Sequence, residues 1–208
     1  MIRDLINKEK YSLKCPNAMV PEFIVIHNTA NDACAKNEVG FMKNSGLETS
    51  FHFAVDNMET IQALPLDRNA WHAGDGANGK GNRKGIAIEI CYSKSGGEKF
   101  LKAEENAAKL AADLLKAYGW GIDKIKKHQD FSGKYCPHRT LDLGWSRFID
   151  KVKHYMEQKV TEEVVAGKLF GMGVITAVDY WIKKFKEDGN VFCMAKNWIS
   201  YMEKIQNG

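Results

Sequence analysis

The sequence predicts an α/β fold followed by a small all-α C-terminal module, on three observations. Short apolar or alternating runs at 22–27, 50–56, 60–64 and 85–92 have strand character. Stretches with apolar residues in steps of three and four, at 35–46, 100–118 and 145–156, are interleaved with them, which implies a sheet with helices on its faces. Beyond about residue 158 the strand pattern stops.

Taken in order, EFIVIH (22–27) is a β-branched apolar run and reads as a buried strand. Ala35, Val39 and Met42 then share one face of a helix that stops near Gly46. SFHFAVD (50–56) alternates, turns at Asp56–Asn57 and returns as TIQAL (60–64), a hairpin. Residues 74–85 hold five glycines and read as a loop. GIAIEICY (85–92) is apolar apart from Glu89 and reads as a central strand. Phe100, Ala103, Ala107, Leu110, Leu114 and Tyr118 define a long helix that Gly119 ends. Segment 128–140 has turn residues without a period, and Trp145 to Met156 forms another helix.

The tail predicts three amphipathic helices: about 161–170, one from a Thr176-x-x-Asp179 start signal to Gly189, and one starting at Asn190. The expected domains are 1–158 and 159–208. Seven aromatics lie in the second, and they serve either its own small core or a sugar-binding face. So small a core is marginal alone, which makes dimerisation the rival role.

Composition narrows the function classes. With 44% hydrophobic and 27% charged residues the chain is globular, neither disordered nor fibrous. A net charge of +4 is too slight to indicate a nucleic-acid partner, and residues 159–208 balance seven basic against six acidic side chains. Five cysteines without a CxxC pair argue against a disulfide framework and for a reducing compartment. No apolar run approaches the ~20 residues that span a bilayer. The opening MIRDLINKEK lacks a signal-peptide core, so synthesis in the cytoplasm without a leader is expected.

The chemistry concentrates in two places. His27 ends the first strand, where rigid backbone meets solvent; taken alone it suits a hydrogen-bonded core position. The run KHQDFSGKYCPHR (127–139) is loop-like yet holds two histidines and a cysteine, with Gly133 letting the backbone fold back between His128 and Cys136. Imidazole and thiolate are preferred zinc ligands, and a catalytic zinc takes three, leaving one position for water. His27, His128 and Cys136 make such a set, with His138 as the alternative to Cys136.

FIVIHNTANDA (23–33), SFHFAVD, LPLDRNAWHAGDG (64–76), GIAIEICYSKSGG (85–97) and KKHQDFSGKYCPHRTLD (126–142) occur in that order. Together they resemble the zinc-dependent N-acetylmuramoyl-L-alanine amidases of the bacteriophage endolysin type, in the family that also contains peptidoglycan recognition proteins. The resemblance covers about residues 1–157. It implies a central mixed β-sheet flanked by helices, with Zn2+ in a surface groove held by His27, His128 and Cys136. It also implies catalytic roles for Glu89 and Lys134, and leaves His138 as a supporting residue. Where some relatives carry a groove tyrosine, this chain has Phe51, so no catalytic role is carried over to that position.

The implied function is hydrolysis of the amide between N-acetylmuramic acid and L-alanine in bacterial peptidoglycan, by a phage endolysin or an autolysin reaching the cell wall after release. A carboxylate on a central strand can accept the proton of the attacking water, and fixed positive charge can stabilise the oxyanion. Trp71 and His72, before the glycine loop, are candidates to line the substrate groove. His52 suits a core or supporting position. A metal-free peptidoglycan-binding module is the competing class, and both histidines with Cys136 speak against it. The helical tail is expected to bind a secondary cell-wall polymer or a second copy of the chain. Partners outside the wall, nucleic acid and membrane included, are not expected.

Overall fold

The two central strands, Phe23–Asn28 and Gly85–Ile90, are buried on both faces and order the rest of the sheet. The computed structural model describes residues 1–157 and 161–206, with side chains through residue 203. It divides into two compact units, Met1–Glu157 and Gln158–Gly208.

In the first unit the described elements run β1 (Ile2–Arg3), α1 (Tyr11–Lys14), β2 (Phe23–Asn28), α2 (Ala35–Asn44), β3 (Phe53–Val55), β4 (Thr60–Gln62), α3 (Lys80–Lys84) and β5 (Gly85–Ile90). They continue with α4 (Gly97–Tyr118), β6 (Ile125–Lys127), α5 (Gln129–Ser132), α6 (His138–Asp142) and α7 (Trp145–Glu157). The strands form one six-stranded mixed sheet in the order β1-β4-β3-β5-β2-β6. Only the β3–β4 hairpin is antiparallel; β2 lies parallel between β5 and β6.

The period of two decides which side chains meet which layer. Ile24 and Ile26 of β2, Phe53 and Val55 of β3, and Ile86, Ile88 and Ile90 of β5 pack with Phe100, Ala107 and Leu115 of α4 and with Phe148 and Val152 of α7. The intervening Ala54, Ala87 and Cys91 join a second cluster with Ala35, Val39 and Met42 of α2. Glu104 of α4, fully buried, is met by Arg147 at 2.6 Å and Lys151 at 3.5 Å from α7, so the two helices share a charged seam as well as an apolar one. Gly119 closes α4 in the left-handed region at φ 66°, where a side chain would be strained.

Several expectations are corrected. Residues 74–85 are not all loop: α3 forms because the Asp75 carboxylate accepts from the Gly81 and Asn82 N–H groups at 2.6 and 3.2 Å. That cap reaches across five residues and is hidden by the glycine content. Segment 128–140 holds α5 and α6, each of four or five residues, too short to show a period. β1 and β6, of two and three residues, were too short to be recognised for the same reason.

The second unit contains α8 (Glu162–Gly171), α9 (Val178–Glu187) and α10 (Gly189–Gln206). Thr161 Oγ1 caps α8 by accepting from Val164 N–H at 3.4 Å. The expected start at Thr176 is not used; Ala177 precedes α9 without a side-chain cap. Gly189 opens α10 instead of ending α9, because Asp188 Oδ1 accepts from Asn190 and Val191 N–H groups. Val165, Ala166, Leu169, Ile175, Phe185 and Ile199 form its core, flanked by Trp181 and Phe192. Phe170, Tyr180, Trp198 and Tyr201 remain exposed. The tail aromatics are thus split between core and surface. Among the described residues no helix is long and apolar enough to cross a membrane.

Candidate metal centre

Parallel strands deliver functional groups at their carboxyl ends. His27 is the penultimate residue of β2, Glu89 the penultimate residue of β5, and the two stand in register. Both lie on the face away from α4, since they alternate with Ile26 and Ile88. His128 follows β6 directly and prolongs its pairing, donating its N–H to the Ile26 carbonyl at 3.3 Å. The chain then turns through α5, which Gly133 ends at φ 75°. It returns so that Gln129 N–H donates to the Cys136 carbonyl at 2.9 Å.

The ligand atoms of His27, His128 and Cys136 all lie within 4.8 Å of one another, and all three residues are buried. The two Nδ1 atoms are 3.0 Å apart. Two nitrogens held tetrahedrally at about 2.0–2.1 Å from one ion would be roughly 3.3 Å apart, so the spacing suits a shared cation. Burial lowers the pKa of His27 well below its ordinary value, helped by His72, His128 and Lys134. His128 is lowered by burial and then Lys134. Burial thus favours the neutral form of both rings, the form that metal ligation requires. Burial and then the Glu89 carboxylate push the Cys136 thiol up to about 11, against the pull of the Asn28 and His138 backbone and Lys134. A divalent cation supplies the charge that would deprotonate such a thiol outright. The three residues thus fit a metal ion.

The supporting shell is explicit. His27 Nε2 bonds His72 Nδ1 at 2.9 Å. With the His27 Nδ1 lone pair kept for the cation, Nε2–H is the donor, so His72 fixes both tautomer and ring orientation. Asn28 donates to Thr140 Oγ1 at 3.3 Å and accepts from Thr140 N–H at 3.1 Å, tying the end of β2 to α6 just beyond Cys136. Sequence reasoning missed Asn28; its one signal is a polar residue directly after a ligand at a strand end.

A cavity of about 220 Å³ opens beside these groups. Glu89, Lys134 and His72 line it with the three ligands, and so do Glu38, Phe41 and Met42 of α2 and Ser45, Leu47 and Thr49 of the segment after it. Glu89 Oε1 lies 3.9 Å from His27 Nδ1, while Oε2 is enclosed without a hydrogen-bond partner. Burial and then Glu38 raise this carboxyl to about 8, with Lys134 opposing. Lys134 itself is exposed at the mouth.

The remaining expected residues differ in where they lie. His138 is half-buried and points to the Ser93 carbonyl at 3.3 Å, which separates it from the ligand cluster. His52 is a satisfied core residue: Nε2–H donates to the Arg68 carbonyl at 2.9 Å, and Nδ1 accepts from Ala87 N–H at 3.0 Å. His72 is buried beside His27 and shares the lining of the cavity. Trp71 is half-buried, donates its indole N–H to the Leu13 carbonyl at 3.2 Å, and is absent from the described lining of the cavity.

Known proteins resemble this chain in sequence and in fold. The profile of the N-acetylmuramoyl-L-alanine amidases (Amidase_2) matches residues 17–139. The N-acetylmuramoyl-L-alanine amidase XlyB of Bacillus subtilis is 55% identical over 183 residues, which are 88% of this chain and 56% of XlyB. CwlA of the same organism, also an N-acetylmuramoyl-L-alanine amidase, is 60% identical over 144 residues, 69% of this chain and 53% of CwlA. The solved structure of PlyL superposes with a TM-score of 0.71 at 50% identity, covering 73% of this chain and 96% of PlyL. The chain thus spans about half the length of the curated relatives it matches.

Proposed function

Since the chain belongs to the N-acetylmuramoyl-L-alanine amidase family, we propose that its first unit is a zinc hydrolase cleaving the amide between N-acetylmuramic acid and L-alanine in peptidoglycan. The observation that carries this reading is the buried His27, His128 and Cys136 cluster with Glu89 in register beside it on one cavity. Two imidazoles and a thiolate favour zinc over harder ions. Zinc bound there would polarise the scissile carbonyl and make water a nucleophile near neutral pH.

The chain's own residues do the rest. Glu89 accepts the proton of the attacking water and passes it to the departing amine of L-alanine. With a cation held by the ligands beside it, this carboxyl would be drawn down from about 8 and stay ionised for that exchange. Lys134 at the cavity mouth offsets the negative charge that develops on the carbonyl oxygen. His72 holds the His27 ring in its ligating orientation. In this assignment His72 acts through His27, and Trp71 supports the wall behind the groove through Leu13 and Ser50.

The protein would serve as a phage endolysin or an autolysin, acting at the cell wall after release from the cytoplasm. The second unit would localise or assemble it, by gripping a secondary cell-wall polymer or a second copy; the exposed Phe170, Tyr180, Trp198 and Tyr201 support such a surface. Mass spectrometry of purified wall digested by the protein tests the main reading, together with elemental analysis of bound metal. New L-alanine amino termini and one equivalent of zinc are expected. Cleavage of another bond, or full activity in zinc-free protein, overturns it. For the second unit, a labelled tail fragment is tested for sedimentation with wall sacs, and the mass of the intact chain is measured in solution. Neither sedimentation nor self-association would remove both proposed roles.

A further inference from the structure

The most unusual buried charge outside the metal centre is Lys14. It ends α1, its side chain is fully enclosed (0% exposed), and its partners are oxygens without formal charge. The ammonium donates to Ser45 Oγ at 3.0 Å, to the Thr49 carbonyl at 3.2 Å and to the Leu47 carbonyl. All three of its donors are thereby used, which is the condition for tolerating a buried cation. Burial, and then Lys10, hold its pKa below the ordinary lysine value. Its three acceptors belong to the segment between α2 and Ser50.

That segment is one wall of the cavity. Ser45, Leu47 and Thr49 line it alongside α2 and the metal ligands. Backbone bonds fix its ends: Ser45 N–H to the Phe41 carbonyl at 2.9 Å, and Ser50 N–H to the Trp71 carbonyl at 3.0 Å. Ser50 Oγ also donates to the carbonyl of Lys14 at 2.6 Å. Between those ends the chain has no regular structure, and the ammonium gathers oxygens from three alternate residues onto one point. A cation in an oxygen cage does here what a strand ladder does elsewhere.

We propose that Lys14 is a positioning residue for the substrate: its ammonium sets the 45–49 wall of the groove and thereby the affinity for the muramoyl-peptide. It does so without touching the substrate or the reacting atoms. The inference rests on the amidase reading of the cavity. Because the wall supplies neither the proposed metal ligands nor the proton-transfer group, losing the ammonium should weaken binding and leave the chemical step alone.

Lys14→Met keeps the stem and deletes the donors. On a soluble muropeptide its KM should rise about tenfold, as expected for losing hydrogen bonds from a charged group, with kcat and bound metal within about twofold of the parent. Lys14→Ala should behave alike and be rescued by propylammonium, which replaces the missing atoms. Tetramethylammonium, with equal charge and no N–H, should not rescue. A merely structural lysine would lower kcat per mole through a smaller folded fraction at unchanged KM, and that result, or an unchanged KM with unchanged kcat, overturns the proposal. Should Lys14→Met not fold, Ser45→Ala removes one acceptor from the same ammonium, and an unchanged KM there overturns it equally. If the parent cleaves no muropeptide, the amidase reading fails separately. Amide exchange at Ser50 then decides for Lys14: faster exchange in Lys14→Met with β2 and β5 unaffected supports the positioning role, and equal exchange refutes it.

Discussion

The two faces of β5 carry opposite chemistry from consecutive residues. Toward α4 and α7 stand Ile86, Ile88 and Ile90, all fully buried among large apolar side chains. Toward α2 stand Ala87 and Glu89, with Cys91 just past the strand, and β2 repeats the contrast with Ile26 against His27. One face is filled by isoleucine and phenylalanine. The other keeps alanines at 54 and 87, which leaves room for imidazoles and a carboxylate next to them. The strand period therefore separates holding the fold from doing chemistry within one backbone, and substitutions one residue apart should fail in different ways.

The largest effect belongs to the metal face. Cys136→Ser should lose bound metal and wall lysis together, measured by elemental analysis and turbidity; retained metal with retained lysis would break the contrast. Glu89→Gln comes next. It should keep the metal and the melting temperature while kcat falls 10²–10⁴-fold, about 2.7–5.4 kcal/mol of barrier. Its neighbour gives the converse: Ile88→Ala should cost about 2–5 kcal/mol of unfolding free energy, read by urea titration, with kcat and metal content unchanged in the folded fraction. The smallest effect is acid sensitivity from His52, which lies buried between the faces' supports. Burial lowers its pKa to about 4. The unfolded chain therefore takes up its proton from about pH 6.5 downward while the folded chain does not. Its stabilising contribution is complete above pH 6.5 and is lost as pH falls toward 4, by at most about 3 kcal/mol. His52→Gln, which can keep both hydrogen bonds, should flatten that part of the stability–pH curve, and an unchanged slope would refute the assignment.

What the sequence made legible follows from the same physics. FIVIHN and GIAIEI announce their strands because burial on both faces demands unbroken apolar runs. The long period of α4 is readable because nineteen residues or so repeat one face. Ligand types and a loop too polar to be core pointed to His128 and Cys136, but choosing Cys136 over His138 from chemistry alone was not decisive. The structure separates them by aiming His138 at the Ser93 carbonyl. What stayed hidden was long-range. Lys14 carries no signal in the sequence; its role appears only where Ser45, Leu47 and Thr49 gather on its ammonium. Asn28 gains its meaning from Thr140, 112 residues away. Asp75 caps a helix whose sequence looks like a glycine loop. None of these partners lies within a window that local periodicity can scan.

The position of β6 has a consequence for how the protein is made. His27 and His128 are 101 residues apart, and at about 5–20 residues per second a ribosome delivers the second imidazole roughly 5–20 s after the first. Until β6 arrives, Ile24, Val25 and Ile26 present an unpaired strand edge, open to wrong partners. The strand that closes it is brief and carries Lys126 and Lys127, charges that keep the finished edge from recruiting another chain. β6 thus closes the sheet and carries His128 to its place beside His27 in one step, and a growing or truncated chain that ends before residue 136 lacks one of the three clustered side chains.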